Sequence, residues 1–92
     1  MKNTKRVQVI YKGRVQGVGF RFIVMNIVSN LHVTGYVKNS HTGDVELVGE
    51  GLKTELETLL RNISLEMGAY LTSSDIIWTD PLEEFSIFKI EH

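Results

Sequence analysis

The chain predicts an α+β sandwich, an antiparallel sheet with two helices packed on one of its faces. Strand-like alternation and helical spacing follow one another in the order strand, helix, strand, strand, helix, strand. Each helical stretch carries a single apolar stripe, which needs a sheet to cover it. Turn signals, Gly43 and Asp80-Pro81 among them, separate the segments. The 92 residues are expected to form one domain, 1–92, because domains run to roughly 100–150 residues and two cores do not fit here.

Arg6 to Lys12 alternates, with Val7, Val9 and Tyr11 on one face and Gln8, Ile10 and Lys12 on the other, as a half-buried strand does. Apolar residues then recur at Phe20, Ile23, Val24, Ile27, Val28 and Leu31, a helix ending near Leu31 to His32. His32 suits the negative end of that helix when protonated, and it is read as structural because no second ligand lies at metal spacing. Thr34 to Asn39 and Asp44 to Glu50 form a hairpin across Ser40-His41-Thr42-Gly43, with His41 at the surface. Glu46 and Glu50 alternate with Val45, Leu47 and Gly49, which predicts an acidic, solvated face on the third strand.

Thr54-Glu55-Leu56-Glu57 has the spacing of a capping box and opens the second helix. Leu52, Leu56, Leu59, Leu60, Ile63 and Met67 lie on its apolar stripe, and Gly68 stops it. Ala69 to Ser74 carries no clear signal. Asp75 to Thr79 reads as a strand, and Phe85 to Ile90 as a last short one. The result, β-α-β-β-α-β plus a short extra strand, is the split pattern of ferredoxin-like folds. That fold hosts many functions, so function must come from a site.

The site signal is Gly13-Arg14-Val15-Gln16-Gly17-Val18-Gly19-Phe20-Arg21, a glycine-rich loop running into the first helix. Helix-initial N–H groups lack intrahelical partners and usually borrow a side-chain oxygen from Ser, Thr, Asp or Asn. None of these occurs between Gly13 and Arg21. Gly17 and Gly19 allow successive N–H groups to converge on one point. Arg21 sits in the first turn, where the helix dipole disfavours a cation by roughly 0.3–1 kcal/mol. A bound phosphate resolves both features, and on spacing alone it competes closely with a plain glycine-rich turn followed by an exposed arginine.

Composition excludes several classes. The chain has no cysteine, hence no disulfide and no thiolate nucleophile, and no apolar run near the ~20 residues of a membrane span. With a polar, basic stretch from Met1 to Arg6, it reads as a soluble, cytoplasmic protein without a membrane partner. Through Gly43 there are seven basic and no acidic residues; from Asp44 onward there are eleven acidic and three basic. A positive field at the loop would attract small anions, unless the fold interleaves the halves. No polybasic run points to nucleic acid. The third strand also lacks the basic and aromatic pattern of a single-stranded RNA binder. A nucleotide P-loop is excluded by the missing Gly-Lys-Ser/Thr.

The loop from Gly13 to Arg21, followed by Gly35-Tyr36-Val37-Lys38-Asn39 and Gly43-Asp44-Val45-Glu46, resembles the signature of the acylphosphatases in order and spacing. The resemblance covers nearly the whole chain. It implies hydrolysis of the carboxyl–phosphate bond of small acyl phosphates by a monomer that needs no metal or cofactor. It further implies that the backbone N–H groups of Gln16, Gly17, Val18, Gly19 and Phe20 bind phosphate. Arg21 becomes the phosphate-binding catalytic arginine, and Asn39 holds the attacking water. The family often has Trp where this chain has Tyr36, and a Gly-Pro after the second helix that Met67 to Ser74 lacks, which leaves the start of the fourth strand unplaced.

The chemistry agrees with these parts. A carboxylate leaves without a proton, so no general acid is required, and phosphoryl transfer asks for charge stabilisation and an aligned nucleophile. The alternative is a non-catalytic module binding an anion such as carbamoyl phosphate, which would need Arg21 and the loop but not Asn39. Asn39 taken alone reads rather as an ordinary turn residue, the resemblance reversing that reading, and Arg14 reads as a solvated loop cation rather than a second catalytic arginine.

Overall fold

The computed structural model describes residues 3–92; Met1 and Lys2, part of the polar start discussed above, lie outside them. β1 spans Thr4–Gly13, α1 Phe20–Val28, β2 Val33–Asn39, β3 Val45–Leu52, α2 Lys53–Met67, β4 Leu71–Thr79 and β5 Phe88–Glu91. The strands lie side by side in the order β4-β1-β3-β2-β5. This is the ferredoxin-like α+β architecture the element order predicts.

The sheet is mixed rather than wholly antiparallel. β1 pairs antiparallel with β3 and β4, and β2 with β3, but β5 runs parallel to β2, from Gly35 against Phe88 to Lys38 against Glu91. Direction follows from topology. β4 ends at the end of the sheet where β2 begins, so a strand that follows it on the far edge must run the same way as β2.

Val7, Val9 and Tyr11 of β1, as the alternation predicts, join Val37, Val45 and Leu47 in a single core. The same core receives Phe20, Val24 and Val28 from α1 and Leu56, Leu59, Ile63 and Met67 from α2, so both helices cover one face. Burying one such large apolar side chain stabilises the fold by about 1.5–3 kcal/mol.

Several local expectations are corrected. α1 stops at Val28, three residues early, because Ser29 N–H bonds Met25 O while Leu31 N–H bonds Val28 O at 2.9 Å, a tightened turn that swings the chain into β2. His32 therefore lies beyond the helix, its backbone N–H donating to Glu55 Oε1 at 3.0 Å. The capping box does not form: β3 runs directly into α2, Leu52 is the cap residue with no side-chain bond, and Lys53 N–H donates to Asn3 O at 2.9 Å. Leu52 is accordingly exposed, not on the buried stripe. β4 begins at Leu71, within the stretch that carries no sequence signal, after a single 3-10 turn over Gly68–Tyr70.

A further correction concerns the acidic face of β3. Residues 80–87 cross the sheet on the side away from the helices and cover it, leaving Glu50 only 6% exposed. Glu50 accepts hydrogen bonds from Arg6 Nη1 at 2.9 Å and from the backbone N–H groups of Leu82 and Glu83 at 2.8 and 2.9 Å. Burial alone would raise its pKa; these donors outweigh burial and hold the carboxyl below the ordinary glutamate value. Glu46 is likewise engaged, accepting from Gln8 Nε2 at 2.8 Å and from the Tyr36 hydroxyl at 3.1 Å.

Candidate active site

The glycine loop hangs between two buried anchors. On one side Val15 is 1% exposed, and Arg14 N–H donates to Tyr70 O at 2.8 Å. On the other, Phe20 packs in the core with its ring centroid 5.0 Å from that of Tyr11. Arg14 is laid over the Tyr70 ring, 5.8 Å from its centroid. The intervening residues are held at both ends without being buried themselves.

Gly17 and Gly19 adopt φ of +79° and +78°, in the left-handed region that L-residues with a Cβ disfavour. A Cβ at either position would meet nothing within 4 Å, so the backbone conformation, not crowding, demands glycine. Gly19 is also the N-cap residue of α1. The helix has no side-chain cap and no acidic residue in its first turn. Its first hydrogen bond is Ile23 N–H to Gly19 O at 3.0 Å. Ahead of it, the N–H groups of Phe20, Arg21 and Phe22 have no partner among the described residues.

Asn39, the last residue of β2, is brought to this helix start by the crossover of α1 onto the sheet. Gly17, Gly19, Phe20, Arg21 and Asn39 line one cavity of about 170 Å³, with buried Val15 beneath and exposed Phe22 at its rim. Half-buried Arg21 makes no hydrogen bond or ion pair with any described side chain, and the Asn39 carboxamide is likewise unengaged. A cation and an amide that could bond each other's ligands are thus left free around one small space. Among the described residues no group of three or more His, Cys, Asp or Glu side chains is gathered anywhere.

Gln16 and Val18, which the family resemblance also places in the phosphate loop through their backbone N–H groups, are not among the residues lining this cavity. Val18 packs partly against the core. The Gln16 side chain turns to the β2–β3 hairpin, where Nε2 donates to Ser40 O and to Asp44 O, both at 2.9 Å. One amide therefore ties the loop to the residue after Asn39. Nothing in the loop's spacing reveals this link, because its acceptors are backbone carbonyls 24 and 28 positions away.

Charge is interleaved by the fold, but not uniformly. Lys5, Arg6 and Lys12 of the basic half pair with Asp80, Glu50 and Asp44 of the acidic half. Among the described residues, Arg14, Arg21 and Lys38 have no ion pair, and all three lie where the loop and the hairpin meet. Positive charge thus remains at the cavity end of the molecule. A larger, more open hollow of about 590 Å³ between Lys5, Lys53 and Trp78 lies at the other end, with no left-handed glycine in its lining.

The acylphosphatase family model matches residues 7–90. The chain belongs to the acylphosphatase family. Over 87 residues it is 40% identical to an acylphosphatase of Methanospirillum hungatei, covering 94% of this chain and 96% of the relative. The crystal structure of acylphosphatase from Bacillus subtilis superposes with a TM-score of 0.88 at 29% identity, over 96% of this chain and 99% of that one. Full-length HypF, solved in a phosphate- and nucleotide-bound form, contains a segment of the same fold. The match has a TM-score of 0.84 at 25% identity and covers all of this chain but 12% of HypF.

Proposed function

We propose that this acylphosphatase-family enzyme hydrolyses small acyl phosphates with the phosphate held by the N–H groups of the Gln16 to Phe20 loop and by Arg21, and water positioned by Asn39. The observation that carries the assignment is the shared cavity: two left-handed glycines, an unengaged arginine and an unengaged carboxamide around about 170 Å³. In the transition state charge spreads over the equatorial oxygens of the phosphoryl group, and preorganised N–H donors with a planar guanidinium match that distribution. The Asn39 carboxamide can both accept from and donate to a water molecule, which orients it for in-line attack. Asn is no base at neutral pH, so the proton passes to the substrate phosphate, and the carboxylate leaves unprotonated.

The same reading treats residues 1–92 as one domain acting as a monomer without metal. No helix among the described residues is long and apolar enough to cross a membrane. Binding without turnover would need the loop and Arg21 alone; Asn39 at the cavity favours hydrolysis.

The test is hydrolysis of benzoyl phosphate with EDTA present. Arg21→Ala should abolish both turnover and inhibition by inorganic phosphate. Asn39→Ala should remove turnover while phosphate inhibition stays within about threefold. Full activity of Asn39→Ala would overturn the water assignment, and loss of wild-type activity on chelation would overturn the metal-free one.

A further inference from the structure

Phe22 stands out among the residues around the cavity because nothing in the fold uses it. Its side chain is 73% exposed, it lies off the apolar stripe that α1 buries, and it makes no ring contact with Tyr11, Phe20 or any other aromatic residue. A lone exposed aromatic is unremarkable on a protein surface. This one is at the mouth of the cavity, next in sequence to Arg21 and in the same uncapped helical turn.

The cavity divides chemically. Its inner part presents what a phosphate needs: the left-handed glycines, the first helical N–H groups and Arg21. An acyl phosphate bound there must send its acyl group outward, since the floor is closed by Val15 and Phe20, both at most 2% exposed. Of the three apolar side chains that belong to the lining residues, Val15, Phe20 and Phe22, only that of Phe22 is exposed. Its position on α1 is rigid, because the helix is anchored by Phe20, Val24 and Val28 in the core.

We infer that Phe22 is a specificity-determining residue that packs against the acyl group and favours apolar, ring-bearing acyl phosphates over short or polar ones. The inference rests on the hydrolytic reading above. An offset or edge contact between two rings excludes water from both, whereas an acetyl group is too short to cover the phenyl face. The contact lies on the leaving group and leaves the phosphate contacts unchanged.

The experiment compares kcat/KM for benzoyl phosphate and acetyl phosphate in the wild type, Phe22→Ala and Phe22→Tyr, with inorganic phosphate inhibition measured in each. Phe22→Ala should lower the benzoyl-to-acetyl ratio about fivefold to tenfold, and Phe22→Tyr, which keeps the ring, should preserve it. Phosphate inhibition should be the same in all three. A ratio unchanged within about twofold in Phe22→Ala overturns the inference while leaving hydrolysis intact. A wild type that binds phosphate but turns over neither substrate overturns the hydrolytic reading and this inference with it.

Discussion

The link between Gln16 and the hairpin makes a quantitative prediction about both stability and turnover. Gln16→Ala deletes two hydrogen bonds of 2.9 Å, each contributing about 0.5–1.5 kcal/mol net. Neither acceptor is orphaned. Ser40 O keeps Gly43 N–H at 3.4 Å, and Asp44 O keeps Ser40 N–H at 2.9 Å. The loss should therefore fall in the lower half of the summed range, about 1–2 kcal/mol, or a melting temperature lower by about 5–15 °C for a chain of this size. The functional effect should be larger in proportion. Asn39 adjoins Ser40, and a displacement of about 1 Å between water and phosphate can slow the reaction on the order of 100-fold. The glycine loop, held separately by Val15 and Phe20, should retain its phosphate contacts. Thermal melts, steady-state hydrolysis and competitive inhibition by inorganic phosphate read the three quantities. We expect kcat to drop at least about tenfold with phosphate inhibition within about threefold. A kcat within twofold of wild type would refute the positioning role, and phosphate inhibition weakened in step with kcat would show that Gln16 shapes the loop instead.

Further outcomes follow from the same geometry. Gly19→Ala forces a Cβ into the left-handed region at φ +78° without any clash, so denaturant unfolding should show a loss of about 1–2 kcal/mol that comes from backbone strain alone. Glu50→Gln removes a buried charge that Arg6 and two backbone N–H groups hold ionised, and about 3 kcal/mol should be lost at neutral pH, Arg6 keeping its 2.8 Å bond to Glu84. Because the folded-state pKa of Glu50 is depressed, its stabilisation is present above the unfolded glutamate value, about 4.3, and fades as pH falls below it. The stability difference between wild type and Glu50→Gln should therefore shrink from pH 5 to pH 3 in denaturant titrations; a flat difference would mean that ionisation of Glu50 is not coupled to folding.

Much of this molecule was legible in one dimension because the relevant physics is local. Alternation at Val7, Val9 and Tyr11 and helical spacing from Phe20 to Val28 each report a buried face, and both faces are buried as read. The empty capping position before Arg21 was equally legible: the absence of Ser, Thr, Asp and Asn is a sequence fact, and the structure shows the uncapped helix that follows from it. Local signals failed where distant chain competes. The Thr54–Glu57 box lost to β3, whose pairing with Thr4 of β1 and Val33 of β2 carries the strand into α2 without a loop. The alternating acids of β3 look like a solvated face until residues 80–87, from the far end of the chain, lie over them.

The sequence by itself determined the element order, the apolar stripes, the two glycines free to turn left-handed and the arginine set in an uncapped helix start. These depend on spacing and on residue chemistry within a few positions. Only the tertiary structure decided that Asn39 shares a cavity with Arg21, that Gln16 faces the hairpin rather than the cavity, that Glu50 is buried and that β5 runs parallel to β2. Each of these is a meeting of segments separated by 18 or more positions, or a direction imposed by the path between two sheet edges, and no local periodicity encodes either.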